Sequence, residues 1–274
     1  MGQVQRNSRG IRLLMGLVGL LLLSASAPVA WGQTWTETSK LTADDGAAFD
    51  EFGTSVGISG NTAIVGAWFD DDDGSGSGSA YLFDTTTGNQ LFKLTAGDGA
   101  GGDSFGWSVA SSGTTAIVGA RLDDDDGASS GSAYLFDETT GAQLAKLTAA
   151  DAAAGDNFGL SVGISGNTAI VGANLSDDDG TSSGSAYLFD VTTGAQIAKL
   201  TASDAASFDQ FGNSVGISGT TTIVGAAGDD DGGTNSGSAY VFSAAPVPSP
   251  AALPAGLGLV GLLWLRRRMT TGGR

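Results

Sequence analysis

A block of 53 residues recurs four times without an insertion, and this periodicity constrains the fold more than any other feature of the chain. FGTSVGISGNTAIVGA begins at residue 52, FGWSVASSGTTAIVGA at 105, FGLSVGISGNTAIVGA at 158 and FGNSVGISGTTTIVGA at 211. GSAYLFD begins at 78, 131 and 184 and returns as GSAYVFS at 237, while KLTA begins at 40, 93, 146 and 199. A unit that repeats in register over this length is one supersecondary element, and it buries its apolar surface against its neighbours.

Each unit reads as four short strands separated by Gly, Ser, Asn and Asp turns, with no helical period anywhere in it. In the first unit these are A (FGTSVGIS), B (TAIVGA), C (SAYLFD) and D (QLFKLTA). Phe52, Val56 and Ile58 share one face of A by period two. C is apolar on both faces, so it is expected between two layers. D carries one lysine per copy, at Lys40, Lys93, Lys146 and Lys199, the usual means of blunting an exposed edge, which puts D outermost. A, with Gly57 and Ser59, suits a crowded inner position.

Four-stranded units repeated radially predict an all-β fold, a β-propeller of four four-stranded blades. The propeller is expected over 33–243, with repeats at about 34–86, 87–139, 140–192 and 193–243. It opens with a lone D strand, WTETSKLTA, and ends after a lone C strand. The N-terminal strand is therefore expected to close the ring by completing the last blade. Two chains joined into an eight-bladed ring, or an open stack, are the alternatives.

The two ends have a different composition. Arg6, Arg9 and Arg12 precede the apolar run LLMGLVGLLLLSASAPVA, the order of a secretory signal peptide over 1–32, with small residues placed for cleavage after Ala30 or Gly32. The other reading is a permanent anchor, for which the run is short. At 244–274, Val247, Pro248 and Pro250 lead into a short hydrophobic helix and the cluster Arg266, Arg267 and Arg268. This tail resembles the PEP-CTERM sorting signal, although Ser249 stands where Glu is commonest. The resemblance implies an exosortase-type processing enzyme, a Gram-negative bacterium, transient membrane anchoring through the tail, and a final place at the cell surface or in the extracellular matrix. An ordinary C-terminal anchor is the alternative.

The region between the ends holds all 29 acidic residues but only Lys40, Lys93, Arg121, Lys146 and Lys199, so it is more acidic than the net charge of −17 for the whole chain suggests. Such a body repels nucleic acid and anionic membrane. The chain has no Cys and no His, which excludes disulfides, thiol chemistry and imidazole catalysis.

Phe52-Gly53 followed by Gly66-Ala67, and the same pairs at Phe105-Gly106 with Gly119-Ala120, Phe158-Gly159 with Gly172-Ala173 and Phe211-Gly212 with Gly225-Ala226, resemble the FG-GAP repeat over residues 34–243. The resemblance implies a β-propeller. Trp68, Arg121, Asn174 and Ala227 stand where the final Pro of the repeat's name falls. The Ca²⁺ loop of integrin-type members lies between A and B, where this chain has only SGNT, so that site does not carry over.

The carboxylates sort by loop. In an up-and-down blade the B–C and D–A loops leave on one face, and these loops hold 24 of the 29 acidic residues. Four adjacent carboxylates, Asp70 to Asp73, repel one another by on the order of 1 kcal/mol per close pair even in water, so something must offset them or the loop must be well solvated. If the loops converge they offer oxygen ligands to a hard cation, and Ca²⁺ suits them better than Zn²⁺. The candidate ligands are Asp71, Asp72, Asp124, Asp125, Asp177, Asp178, Asp230 and Asp231 from B–C, with Asp45, Asp50, Asp98, Asp103, Asp151, Asp156, Asp204 and Asp209 from D–A. A solvated acidic face that keeps a Gly-rich exported protein soluble is the competing reading.

Three functions fit these features. The first is a surface or matrix propeller that binds extracellular polysaccharide or a surface protein, with Ca²⁺ as bridge. Its discriminating residues are the variable Trp68, Arg121, Asn174 and Ala227 together with Trp107, unless the two tryptophans only pack between blades. The second is a structural matrix protein with no specific ligand. The third is a carboxylate-based glycosidase or lyase, which needs an acid and a base in different environments, whereas these Asp residues recur in near-identical ones. A buried carboxylate confined to one repeat would favour it. The expectation is no enzyme.

Overall fold

The computed structural model describes residues 35–244. The expectations for a signal peptide over 1–32 and for a sorting tail over 244–274 fall outside that range, Ala244 excepted. The chain divides between Thr38 and Ser39 into two compact units, and all fifteen strands lie in the second. No helix of the described residues is long and apolar enough to cross a membrane.

The strands form four antiparallel sheets, one per repeat, each in sequence order. The first contains β1 (Val56–Ser59), β2 (Thr62–Ala67), β3 (Ser79–Asp84) and β4 (Gln90–Leu94). The second contains β5 (Phe105–Ser112), β6 (Thr115–Ala120), β7 (Ser132–Asp137) and β8 (Gln143–Leu147). The third contains β9 (Ser161–Ser165), β10 (Thr168–Ala173), β11 (Ser185–Asp190) and β12 (Gln196–Leu200). The fourth has only β13 (Phe211–Ser218), β14 (Thr221–Ala226) and β15 (Ser238–Ser243). The all-β fold and the A-B-C-D blade order are as the repeat predicts.

Strand A is innermost: β1 adjoins β5, β5 adjoins β9 and β9 adjoins β13. Strand C is sandwiched as expected, with Ala80, Tyr81, Leu82 and Phe83 all buried. The repeated Phe sits edge-on between the two aromatics of strand C in its own sheet, with Phe105 5.5 Å from Tyr134 and 5.8 Å from Phe136 between ring centroids. This aromatic trio packs against Ile64, Leu82 and Leu94 of the preceding sheet, so each core lies between two repeats and neither half is complete alone.

The Gly of the same motif answers to close backbone approach. A Cβ on Gly66 would lie 2.0 Å from the carbonyl oxygen of Gly106 in the next sheet. Parallel bridges from Gly78 to Phe105, Gly131 to Phe158 and Gly184 to Phe211 join sheet to sheet at the same place. Phe52, in the first sheet, has no such bridge among the described residues.

The expected closure of the ring is not found. Residues 35–43 carry no strand, and β15 pairs only with β14. Leu41 and Ala43 instead lie on Val65, Ala67, Tyr81 and Phe83 of the first sheet. That is where Leu94 and Ala96 of β4 and its extension meet the second sheet, so the segment keeps one half of a D strand's contacts and lacks the other.

Candidate functional site

The B–C and D–A loops converge in each repeat, and in the first three the centre of convergence is a lysine. Lys93 projects from β4 and places Nζ 2.6 Å from Asp45 and 3.1 Å from Asp70, with Asp72 also bound. Lys146 does the same from β8, at 2.8 Å from Asp98 and 3.1 Å from Asp123, with Asp125 as its third partner. In the third repeat Lys199 binds Asp151 at 2.5 Å together with Asp178. These lysines are half-buried. Burial alone would lower the Lys93 ammonium, but the hydrogen bonds to Asp45 and Asp72 outweigh it and hold the group above its ordinary value. Burial likewise opposes the ionised forms of Asp45, Asp98 and Asp178, and their lysines overcome it and pull all three below the usual carboxylate range.

The first Asp of each row is the innermost. Asp70, Asp123 and Asp229 are buried and accept the hydroxyl of Tyr81 at 2.9 Å, Tyr134 at 2.7 Å and Tyr240 at 2.6 Å. Neither these carboxylates, the tyrosines nor the lysines were among the expected ligands. Their signal was present, since Tyr and Lys recur at the 53-residue period. The third repeat breaks the pattern: Ser176 replaces the first Asp, its hydroxyl turns to Asp178 at 2.6 Å, and the buried Tyr187 hydroxyl is left with no partner.

The sixteen expected ligands fall into separate roles. Asp71, Asp124, Asp177 and Asp230 each accept a backbone N–H five residues on, from Gly76 at 2.8 Å, Ser129 at 2.6 Å, Ser182 at 2.7 Å and Asn235 at 2.6 Å, and so fold their own loop. Asp50, Asp103, Asp156 and Asp209 are buried, and each accepts the N–H three residues back, from Ala47, Ala100, Ala153 and Ala206. Burial raises Asp103 and Asp156 above the ordinary value. In the first three repeats Asp45, Asp98 and Asp151 meet Asp72, Asp125 and Asp178 respectively, and a lysine nitrogen stands between each pair.

The fourth repeat has the acids without the lysine. Asp204, Asp229 and Asp231 each offer an oxygen within 4.8 Å of the others. Asp231 is raised above the ordinary carboxylate value chiefly by the charge of Asp229, then that of Asp204. The donor set therefore does not fit Ca²⁺ in the first three repeats, where an ammonium holds the position. It fits a cation in the fourth, with three of the six to eight oxygens that Ca²⁺ takes.

A second feature stands where the repeats differ. Trp68 follows β2 and meets Trp107 of β5 with ring centroids 5.2 Å apart, so it does bridge two blades. Arg121, one repeat after Trp68, lays its guanidinium carbon 3.7 Å from the centre of the Trp107 ring. Burial lowers the Arg121 pKa, and its Nε has no hydrogen-bond partner. Asn174 holds the same position one repeat further on, is buried, and leaves Oδ1 unpartnered. The one buried carboxylate confined to a single repeat is Glu138, raised by burial and bound by the Ser111 hydroxyl. It follows β7 at the C–D turn, away from the acidic loops.

Sheets that run A-B-C-D from the inside outward, packed face to face through an FG pair, define a tandem-repeat protein with propeller-like blades. The FG-GAP repeat model matches residues 35–83, 89–136, 142–189 and 195–242, and the chain belongs to the FG-GAP repeat family. A search of curated proteins finds no match. Among solved structures, the computationally designed Ika8 protein aligns with a TM-score of 0.43 and 14% identity, covering 70% of this chain. The alignment spans 45% of the length of Ika8.

Proposed function

We propose that this chain is an exported binding module that acts outside the cell on a neutral polysaccharide, with the row of Trp68, Trp107, Arg121 and Asn174 as its contact. The observation that carries this reading is the guanidinium of Arg121 stacked 3.7 Å from Trp107, at two positions where the repeats diverge. Aromatic rings take sugar faces, and Trp68 and Trp107 are both partly exposed. A polyanion is disfavoured by the acidic loops around the row. Export rests on the signal peptide read at 1–32, and surface or matrix location on the PEP-CTERM-type tail, which would be processed by an exosortase in a Gram-negative bacterium.

The reading is non-catalytic. It is supported by the lysine ion pairs of the acids in the first three repeats and by the separation of Glu138 from them. Titrating the chain with neutral and anionic polysaccharides in EDTA while following tryptophan fluorescence tests the proposal. A change with a neutral polymer that Trp107→Ala abolishes supports it. No response across the panel would leave a structural matrix protein.

A second reading, Ca²⁺ dependence, is favoured by one observation, the lysine-free triad of Asp204, Asp229 and Asp231. On this reading calcium serves the fourth repeat alone.

A further inference from the structure

The two ends of the repeat array are complementary halves of one missing interface. Ser243 is followed by AAPVPSP where the other repeats have a TTG turn and a KLTA or KLTA-like D strand, and among the described residues the fourth sheet has three strands. SKLTA at 39–43 has the D-strand sequence but forms no strand in the sheet it lies on. Among the described residues β15 pairs with β14 alone and is the edge of its sheet.

Three further observations match the ends to each other. The outward face of the fourth sheet exposes Ile223 at 48% and Val241 at 66%, whereas the equivalent Ile64 and Leu82 of the first sheet are fully buried under the second. At the other end Val56 and Ile58 of β1 are exposed at 68% and 67%, while Val109, the counterpart of Val56, is buried against the first sheet. The charges match as well. Lys40 is the D-strand lysine that makes no salt bridge among the described residues, and Asp204, Asp229 and Asp231 are the acidic triad with no lysine.

A groove of about 450 Å³ runs beside this open edge, lined by Leu188, Ile197, Leu200, Ile217 and Phe242. One repeat earlier the equivalent groove, of about 380 Å³, is lined in addition by Val191, Thr192, Thr193 and Gly194 of the C–D turn, which the fourth repeat lacks among the described residues.

From these we infer that the chain assembles head to tail, residues 39–43 of one copy adding to β15 of another as its fourth strand, with Lys40 entering the triad of Asp204, Asp229 and Asp231. The occupant is a second copy because the segment required is the one this sequence carries in surplus. The pairing is strand addition to an open edge, and the interface repeats the contacts already made between consecutive sheets. Within one chain, residues 39–43 lie on the first sheet and do not reach β15. The inference is independent of which ligand the tryptophan row takes, and it assigns the fourth triad an ammonium in place of Ca²⁺.

The register fixes the test. Leu82 pairs with Phe92 and Tyr81 with Lys93 in the first sheet, so Val241 should face Ser39 of the neighbour and Tyr240 should face Lys40. The chain has no cysteine of its own, and Val241 and Ser39 are exposed. Full-length chains carrying Ser39→Cys and Val241→Cys separately are purified in mild detergent, mixed and oxidised. The expected product is a disulfide-linked heterodimer, absent when Thr140→Cys replaces either partner. Adding Lys40→Glu to the Ser39→Cys chain should cut the yield about tenfold, the effect of about 1.4 kcal/mol. No heterodimer, or a double variant S39C/V241C that closes its disulfide within one chain, would overturn the inference. Loss of the Trp107-dependent sugar response leaves this result untouched, so the two proposals fail separately.

Discussion

Lys146 reaches the buried Asp123, with Nζ 3.1 Å from Oδ2, and closes the centre of an otherwise repulsive acidic row. Removing it leaves Asp98, Asp123 and Asp125 facing one another with no counter-charge. Lys146→Ala should destabilise the chain by about 3 kcal/mol, a fall in melting temperature on the order of 10 °C. Millimolar Ca²⁺ should recover part of that loss, since the variant exposes the oxygen cluster that lysine had filled. Thermal unfolding with and without Ca²⁺ measures both.

The third repeat offers the converse experiment. Tyr187 is buried with its hydroxyl unpartnered, and burial pushes the phenol up to about 12. Ser176→Asp restores the acceptor that Asp123 gives Tyr134 at 2.7 Å. It should stabilise the fold by about 1 kcal/mol, or roughly 3 °C. A lower melting temperature would mean that the bonds from Ser176 and Ser185 to Asp178 are worth more than the tyrosine's acceptor.

Acid separates the carboxylates by sign. Asp45, Asp98 and Asp178 titrate below the reference 3.8 when folded, so the stability they add is complete above that value and is lost as pH falls through their lowered values. Asp103 and Asp156 are raised, so their contribution is present below 3.8 and disappears as pH rises through their folded values. Melting temperatures from pH 6 to pH 2 should therefore fall at the acid end in the wild type. In Lys146→Ala the repelling cluster is relieved by protonation, and the curve should flatten or rise. Parallel curves would contradict the lysine's role.

Trp107 carries the Arg121 guanidinium on its ring. Trp107→Phe should keep the fold within about 1 kcal/mol, because the smaller ring preserves burial and loses part of the cation–π attraction. Arg121→Lys should weaken the sugar response more than it changes the melting temperature, since an ammonium does not lie flat on a ring. Unfolding and fluorescence titration on the same samples separate the two effects.

Much of this was legible in the sequence. Period two placed Val56 and Ile58 on one face, the doubly apolar strand C proved to be buried on both sides, and the lysine on strand D correctly marked the sheet edge. The convergence of the B–C and D–A loops also followed from blade topology. The lysine's second role did not. It is the residue that blunts the edge and also the one that neutralises the acids, and only the register of Tyr81 with Lys93 shows that its ammonium reaches Asp70. Ring closure within one chain is not confirmed, and the sequence does not decide it, because a lone D strand and a missing one match equally well within one chain or between two. Loop-folding carboxylates such as Asp71 could not be told from metal ligands by spacing, since both need oxygen at fixed offsets in a Gly-rich turn.

The central claim is that lysine, not calcium, neutralises the acidic rows. Thermal unfolding of the full chain in EDTA, in millimolar Ca²⁺ and in millimolar Mg²⁺, beside Lys146→Ala under the same conditions, tests it most directly. The account predicts for the wild type no more than the rise that the lysine-free fourth triad supplies, and a further Ca²⁺-dependent rise in the variant. A Ca²⁺-specific rise in the wild type, by about the 2.7 kcal/mol expected at a hundred times the dissociation constant and undiminished by the lysine's presence, would contradict it.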